Sequence, residues 1–160
     1  MRSEQDVEQT IDRYADTVYR VCVCYLKNPT DREDIFQTVF MKYMLFEGDF
    51  SSEEHRKAWL IRVTANACKD QLKTSFWKKS DPLDVLEDSL PYITEGQEEV
   101  LESVLELPEK YRIAIYLYYY EGYSAAEIAE VMDNKENTVY SLLSRGRGML
   151  KKKLGGELDE

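Results

Sequence analysis

One histidine and three cysteines in 160 residues leave little from which to build a metal centre or a nucleophilic triad. An odd cysteine count argues against a disulfide framework. Cys22 and Cys24 are two apart, so on a helix they point away from each other. With no Cys-x-x-Cys pair and only His55, a zinc site is not expected. Any triad would have to run through His55, which sits in the polar stretch Ser51 to Lys57. The seven glycines are scattered and form neither G-x-G-x-x-G nor G-x-x-x-x-G-K, so a phosphate-cradling loop is missing as well. No catalytic residue, metal or cofactor is expected, and most enzyme classes fall away. Long apolar runs are also absent. Ile113 to Tyr120 spans eight residues, whereas a membrane span needs roughly 20. The start of the chain leads into no apolar block with a cleavage site, so a cytosolic protein without a membrane segment is expected.

What is present is enough for a folded protein. At 43% hydrophobic and 32% charged, the chain has the apolar surface to bury a core, and its length fits one ordinary domain or two small ones. The net charge of −10 is uneven. Residues 1–76 carry 11 basic and 13 acidic side chains, residues 77–105 carry 2 and 8, and residues 106–160 carry 8 and 10. The acid excess lies in the middle and both flanks are nearly balanced. A free-standing DNA binder shows a basic footprint over the whole module, which this chain lacks.

The hydrophobic pattern is helical throughout. Val7, Ile11, Tyr14, Val18, Cys22 and Tyr25 recur at steps of three and four, which predicts an amphipathic helix. Asn28-Pro29 breaks it. Thr30 and Glu33 have capping-box form and open a second helix, with Ile35, Phe36, Val39, Phe40, Tyr43 and Met44 on one face and Gly48 as its stop. Ser51 and Glu54 form another capping box, opening a third helix from about Ser52 to Phe76 striped by Leu60, Ile61, Thr64, Cys68 and Leu72.

From Ser80 to Gly96 the periodicity dissolves among Pro82, Pro91 and acidic residues, as a linker would. Val100, Leu101, Val104 and Leu105 restore it. Pro108 punctuates, Glu109 to Glu121 forms a helix closed by Gly122, and Ser124 with Glu127 caps a short helix ending near Met132. After a turn at Asp133-Asn134, a last helix runs from about Glu136 to Leu154 and stops at Gly155-Gly156. Short helix, turn and longer helix follow the helix-turn-helix plan, with Ile128, Ala129 and Met132 facing Val139, Leu142 and Leu143. From spacing alone a plain helical hairpin fits equally well. The expected fold is all-α: a helical module at 1–77, an acidic linker at 78–99, and a second module with the helix-turn-helix at 100–160.

Several runs resemble a known family. Leu107-Pro108-Glu109-Lys110-Tyr111-Arg112, Glu121-Gly122-Tyr123-Ser124, Glu127-Ile128-Ala129-Glu130, Thr138-Val139 and Ser144-Arg145-Gly146-Arg147 are similar to the fourth conserved region of RNA polymerase sigma factors, closest to the extracytoplasmic-function (ECF) group of sigma-70-like factors. Independently, Tyr14 to Arg20, Asp31 to Phe40, Ala58 to Asn66 and Asp70 resemble the family's second region. The two similarities cover about 7–77 and 100–154, in the family's order. The resemblance implies a DNA-binding transcription initiation factor that docks on core RNA polymerase, through the β′ coiled coil and the β flap, and opens promoters without catalysing a reaction.

It also implies site residues. Promoter opening needs a surface that favours unpaired, flipped bases, built from hydrogen-bonding groups, aromatic platforms and cations. Arg62, Asn66, Lys69 and Lys73 fall on one helical face, with Asp70 beside it and Trp77 near the end, as candidates for the −10 element. The bland reading is a solvated face and a buried Trp77. Asn66 is the base contact the family pattern suggests. Asp31, Glu33, Asp34 and Gln37 are candidates for polymerase docking, although negative charge at a helix start also favours the dipole. For the −35 element the candidates are Lys135, Asn137, Thr138, Ser141, Arg145 and Arg147. Lys151, Lys152 and Lys153 suit a helix C-terminus.

The chain departs from the family pattern at Thr38, where an acid is usual, at Tyr140 and Leu142, where basic residues are common, and at Asp133, where glycine is common. Asp tolerates the left-handed turn. Two missing cations would weaken −35 reading, which motivates an alternative: a sigma-derived regulatory protein that binds polymerase or a partner without reading promoters. A dimeric helix-turn-helix repressor finds no support in the two-module layout. Twelve tyrosines, three of them at Tyr118 to Tyr120, fit helix packing better than a sticky face for a partner such as an anti-sigma factor. His55 and the cysteines receive no functional role.

Overall fold

The computed structural model describes residues 1–78 and 98–153, with the side chains of 75–78 and 98–101 outside that description. The chain divides into two compact units, Met1–Tyr92 and Ile93–Glu160. Apart from its edges at Lys78, Glu98 and Glu99, the expected linker lies outside the described residues. All regular structure among the described residues is helical, and no helix there is long and apolar enough to cross a membrane.

The first unit packs three helices pairwise: α1 (Glu4–Tyr25), α2 (Pro29–Leu45) and α3 (Glu53–Lys78). Ser3 caps α1 by accepting the Asp6 N–H. The α1 stripe turns Tyr14, Val18, Cys22 and Tyr25 inward against Ile35, Val39, Phe40 and Tyr43 of α2 and Leu60, Ile61, Thr64 and Cys68 of α3. The three cysteines are free and buried. They behave as small apolar groups.

Three expected boundaries move. The cap of α2 is Asn28, not Thr30: its side chain accepts from the N–H groups of Thr30 and Asp31, and Pro29 takes the first helical position, where its missing donor costs nothing. The cap of α3 is Ser52 rather than Ser51. Its hydroxyl accepts the His55 N–H at 3.1 Å, while the Ser51 N–H reaches back to His55 Nδ1 at 3.0 Å, so His55 takes the part expected of Glu54. Nor does Gly48 stop α2, which ends at Leu45 with the Phe46 N–H bonded to the Lys42 and Tyr43 carbonyls. Gly48 instead lies against the Phe46 ring, which would have to shift to admit a Cβ there, at 2.5 Å.

A polar hub pins the three helices. The Tyr43 side chain is fully buried, and its hydroxyl donates to Asp6 Oδ1 at 2.6 Å while meeting Thr10 Oγ1 at 3.0 Å and the Arg56 guanidinium. Arg2 bonds Asp6 at 3.0 Å and the Gly48 carbonyl at 2.6 Å, and lies 4.6 Å from the Tyr43 ring centre. Beside the hub, Glu53 accepts from Tyr14 at 2.7 Å and pairs with Arg13 and Arg56.

The second unit holds α4 (Glu98–Leu105), α5 (Glu109–Tyr119), α6 (Ala125–Met132) and α7 (Glu136–Lys153). α5 ends at Tyr119 rather than at the expected Glu121, and Gly122 turns the chain beyond it in the left-handed region at φ 73°. Ser124 and Glu127 form the expected capping box. The turn between α6 and α7 survives without glycine, because Asp133 adopts φ 59° and ψ 53° and the Asn134 N–H reaches the Ala129 carbonyl. Ala125, Ile128, Ala129 and Val131 of α6 are buried, whereas Met132 is only half-buried. The expected inward Met132 is thus displaced by Val131, because α5 packs on α6 as well as α7 does.

At Gly146, α7 packs tightly on α5. A Cβ there would stand 2.9 Å from Ile115 Cγ1, and Ile115 is itself buried, whereas one at Gly148 would meet nothing within 4 Å. G148A is expected to raise stability by about 1 kcal/mol. G146A should lower it by about 1 kcal/mol, since overpacking outweighs the same helix gain. Urea unfolding of the two variants checks both.

The hub also sets a pH dependence. The Tyr43 hydroxyl bond, aided by Arg2 and Arg56, holds the Asp6 carboxyl below its usual value, and the Tyr14 hydroxyl does the same for Glu53. Burial, then the facing carboxylate, raises both phenols. Depressed carboxyls stabilise the fold above the ordinary carboxylate range and lose that contribution as pH falls through it. Raised phenols stabilise below the ordinary phenol range and lose it as pH rises past it. D6N is expected to cost on the order of 1 kcal/mol at neutral pH and to flatten the acid limb, read from urea midpoints between about pH 3 and pH 7.

Candidate nucleic-acid interface

The polar face of α3 arises because its other side is consumed by the core. Leu60, Ile61, Thr64, Ala65 and Cys68 are fully buried, and the Thr64 hydroxyl satisfies itself on the Leu60 carbonyl at 2.7 Å. That leaves Arg62, Asn66, Asp70 and Lys73 exposed and Lys69 half-buried. Spaced at three and four residues, they form one continuous surface carrying amide, carboxylate and cations together. Trp77 lies on the same helix, but its side chain is outside the described ones.

The connection into α3 adds a feature that periodicity did not reveal. Phe46, Phe50 and Trp59 are half-buried and touch one another, with ring centres 4.8 to 5.9 Å apart. Arg2 and Arg56 sit over the Phe50 ring at 5.1 and 5.0 Å. An open depression of about 330 Å³ beside them is lined by Arg2, Asp6, Phe46, Gly48 and Asp49. The aromatic density of residues 46–59 was the available signal. Which rings meet was not readable, because the partners come from both sides of the connection and from residue 2.

On α2, Glu33, Asp34 and Gln37 are exposed, while Asp31 is half-buried and accepts from Gln71 Nε2 of α3 at 3.3 Å. Asp31 is therefore drawn partly into the helix packing. The exposed side continues along α2 through Thr38 to Met41 and Leu45, both large apolar side chains in water.

On α7, Val139, Leu142, Leu143, Gly146 and Leu150 are buried. The opposite side carries Asn137, Thr138, Ser141 and Arg145, all exposed, with Lys135 exposed in the preceding turn. Arg147 is set apart from them. It is half-buried, and its Nε donates to the Tyr119 hydroxyl of α5 at 2.8 Å. Lys153 pairs with Glu106 at 3.1 Å. Leu142 is only 7% exposed, and Tyr140 is 56% exposed. Leu142 thus belongs to the helix-turn-helix core, where its spacing with Val139 and Leu143 puts it, and not to the DNA-facing side that the family pattern suggested; only Tyr140 occupies the outward surface.

Two compact helical units, one with a polar helix face beside an aromatic cluster and the other with a capped helix-turn-helix, make up the described part of the chain. Residues 10–77 match the family model of sigma-70 region 2, and residues 97–150 match that of sigma-70 region 4. The ECF RNA polymerase sigma factor SigW of Bacillus subtilis (strain 168) is 28% identical across 96% of this chain and 91% of its own length. The ECF RNA polymerase sigma-E factor of Haemophilus influenzae is 30% identical across 90% of this chain and 85% of its own. In fold, the chain is similar to the sigma factor RpoE of Bartonella quintana, solved in complex with the anti-sigma factor NepR, with a TM-score of 0.72 and 21% identity over 96% of this chain and 99% of that one. The chain belongs to the sigma-70 family of RNA polymerase sigma factors, in its ECF group. It is a transcription initiation factor that binds core RNA polymerase and recognises promoter DNA, and not an enzyme.

The burial of Leu142 separates the two departures in α7. L142R is expected to lower stability by about 1–3 kcal/mol, because it places a cation where a packed side chain belongs. Y140R should leave stability within about 0.5 kcal/mol and add a cation to the outward surface. Denaturant unfolding distinguishes the two.

Proposed function

We propose that residues 1–77 dock on polymerase and read the −10 element, and that residues 100–160 read the −35 element. The observation that carries this is the pair of outward polar surfaces, Arg62–Asn66–Asp70–Lys73 on α3 and Asn137–Ser141–Arg145 on α7, each backed by a buried apolar side of the same helix. On α3, Asn66 hydrogen-bonds an unpaired base, Arg62, Lys69 and Lys73 hold backbone phosphates, and Asp70 favours amino-bearing base edges. Trp77, further along the same helix, is a further candidate for the −10 element, and Phe46, Phe50 and Trp59 offer ring faces for stacking. On α7, Asn137, Ser141 and Arg145 enter the major groove with Thr138 beside them, while Lys135 from the preceding turn and Arg147 contact the flanking backbone. Glu33, Asp34 and Gln37, with Asp31 at their edge, meet the β′ coiled coil, and the second unit meets the β flap.

Each unit has too few cations to hold DNA tightly alone, and the acidic segment 78–99 repels phosphate. Polymerase therefore supplies most of the affinity, and this chain supplies the selection. The protein works in the cytoplasm, where its polymerase and promoter are. An anti-sigma protein is a further partner, suggested by the complex in which the RpoE relative was solved. The regulatory alternative loses much of its motive, since Leu142 is core and only Tyr140 remains as a missing cation on the outward surface.

The test is capture of bacterial core polymerase by the purified chain, followed by transcription from genomic DNA with the reconstituted enzyme. Discrete start sites are expected. N66A should reduce open-complex formation roughly ten-fold without changing capture, and E33A/D34A should weaken capture itself. Capture without initiation would instead support the regulatory alternative, and no capture would overturn the docking assignment.

A further inference from the structure

The tyrosine run on α5 resolves into two pairs with different surroundings. Tyr116, fully buried, stacks on Tyr120 with ring centres 5.5 Å apart, and its hydroxyl donates to the Glu121 carboxylate at 2.5 Å. That pair is packing. Tyr118 and Tyr119 are partly in water and meet edge to face at 5.0 Å and 82°. Tyr119, 47% exposed, also reaches across to α7. Its hydroxyl oxygen accepts from Arg147 Nε at 2.8 Å, and the guanidinium carbon lies 5.9 Å from its ring centre.

We propose that Tyr119 is a positioning residue for Arg147, fixing the guanidinium for contact with the DNA backbone. The inference rests on the reading of α7 as the −35 helix. An arginine side chain has many rotamers, and holding one of its nitrogens reduces what is lost when the others bind. The hydroxyl takes Nε alone. Among the described residues Nη1 and Nη2 have no hydrogen-bond partner, so two donors of the planar fork remain for a phosphate. Three features keep the contact in place. Tyr118 buttresses the Tyr119 ring from its side. Gly146, next to Arg147, lets α7 approach α5 at Ile115 and Tyr111. Leu117 of α5 and Leu150 of α7 are both fully or almost fully buried, so neither helix is free to turn its neighbouring residue away.

The test uses reconstituted holoenzyme and a promoter fragment recovered from the initiation assay, with binding measured across a salt series. Y119F deletes the hydroxyl and keeps the ring. It is expected to weaken promoter binding roughly three- to ten-fold with the salt dependence unchanged, because Arg147 still reaches phosphate. R147A should weaken binding and lower the slope of log affinity against log salt by about 0.9, one phosphate contact. Y119F/R147A should match R147A, and Y118F, an identical change one residue away, should match the unaltered protein. If R147A behaves like the unaltered protein, the DNA reading of Arg147 fails. If R147A weakens binding while Y119F does not, or if the two losses add, the positioning role is overturned and that reading stands. Tighter binding by Y119F would mean that the hydroxyl sequesters Arg147, and would overturn the proposal in the opposite direction.

Discussion

A phenol oxygen buried between three helices must find partners inside the protein, because leaving it unpaired costs about 1–3 kcal/mol. Tyr43 meets this requirement with Asp6 and Thr10 from α1 and Arg56 from α3. Apolar packing of Val18, Val39 and Leu60 tolerates small shifts of one helix against another. A hydrogen-bonded hub does not, since every partner has a direction as well as a distance. The first unit is therefore held in one register by a polar cluster within an aliphatic core. The face that α3 turns outward follows from that register.

Both units close helix junctions with a buried arginine. Arg32, the fourth residue of α2, donates from Nε to the Leu26 carbonyl at 2.9 Å, and Arg112, the fourth residue of α5, donates to the Leu105 carbonyl at 3.2 Å. Each follows a proline at the helix start, Pro29 and Pro108. The last carbonyls of a helix have no partner within it, and a guanidinium from the next helix supplies one while the chain turns sharply. This makes two arginines structural and removes them from the supply of cations for nucleic acid. The basic surface is consequently smaller than the composition implies, which suits a factor whose grip on DNA is shared with polymerase.

Much of the fold was legible because it is local. The heptad-like spacing of Val18, Cys22 and Tyr25, the Ser124–Glu127 capping box and the left-handed Asp133 each depend on residues within one or two turns, and each stands where the spacing puts it. Local chemistry misled where two candidates compete within a few residues, as with Asn28 over Thr30 and Ser52 over Ser51. There the chosen cap also depends on the following proline or on the reach of His55. The candidate site was legible as helices and faces, but less so as individual side chains.

Sequence alone determined that this chain is helical, that its helices form two sets, and that its motifs belong to sigma factors, since helix periodicity and caps are written over spans of a few residues. Tertiary structure decided which of those residues are available. Of the two departures in α7, Leu142 is core, as its inward spacing with Val139 and Leu143 also implied, whereas Tyr140 stands on the outward surface. Arg147 looks equivalent to Arg145 and instead leans on Tyr119, 28 residues away. Arg2, unremarked in any motif, joins residues 43 to 50 to the start of the chain. Such contacts join segments far apart in sequence, and no short-range pattern encodes the partner that packing brings to them.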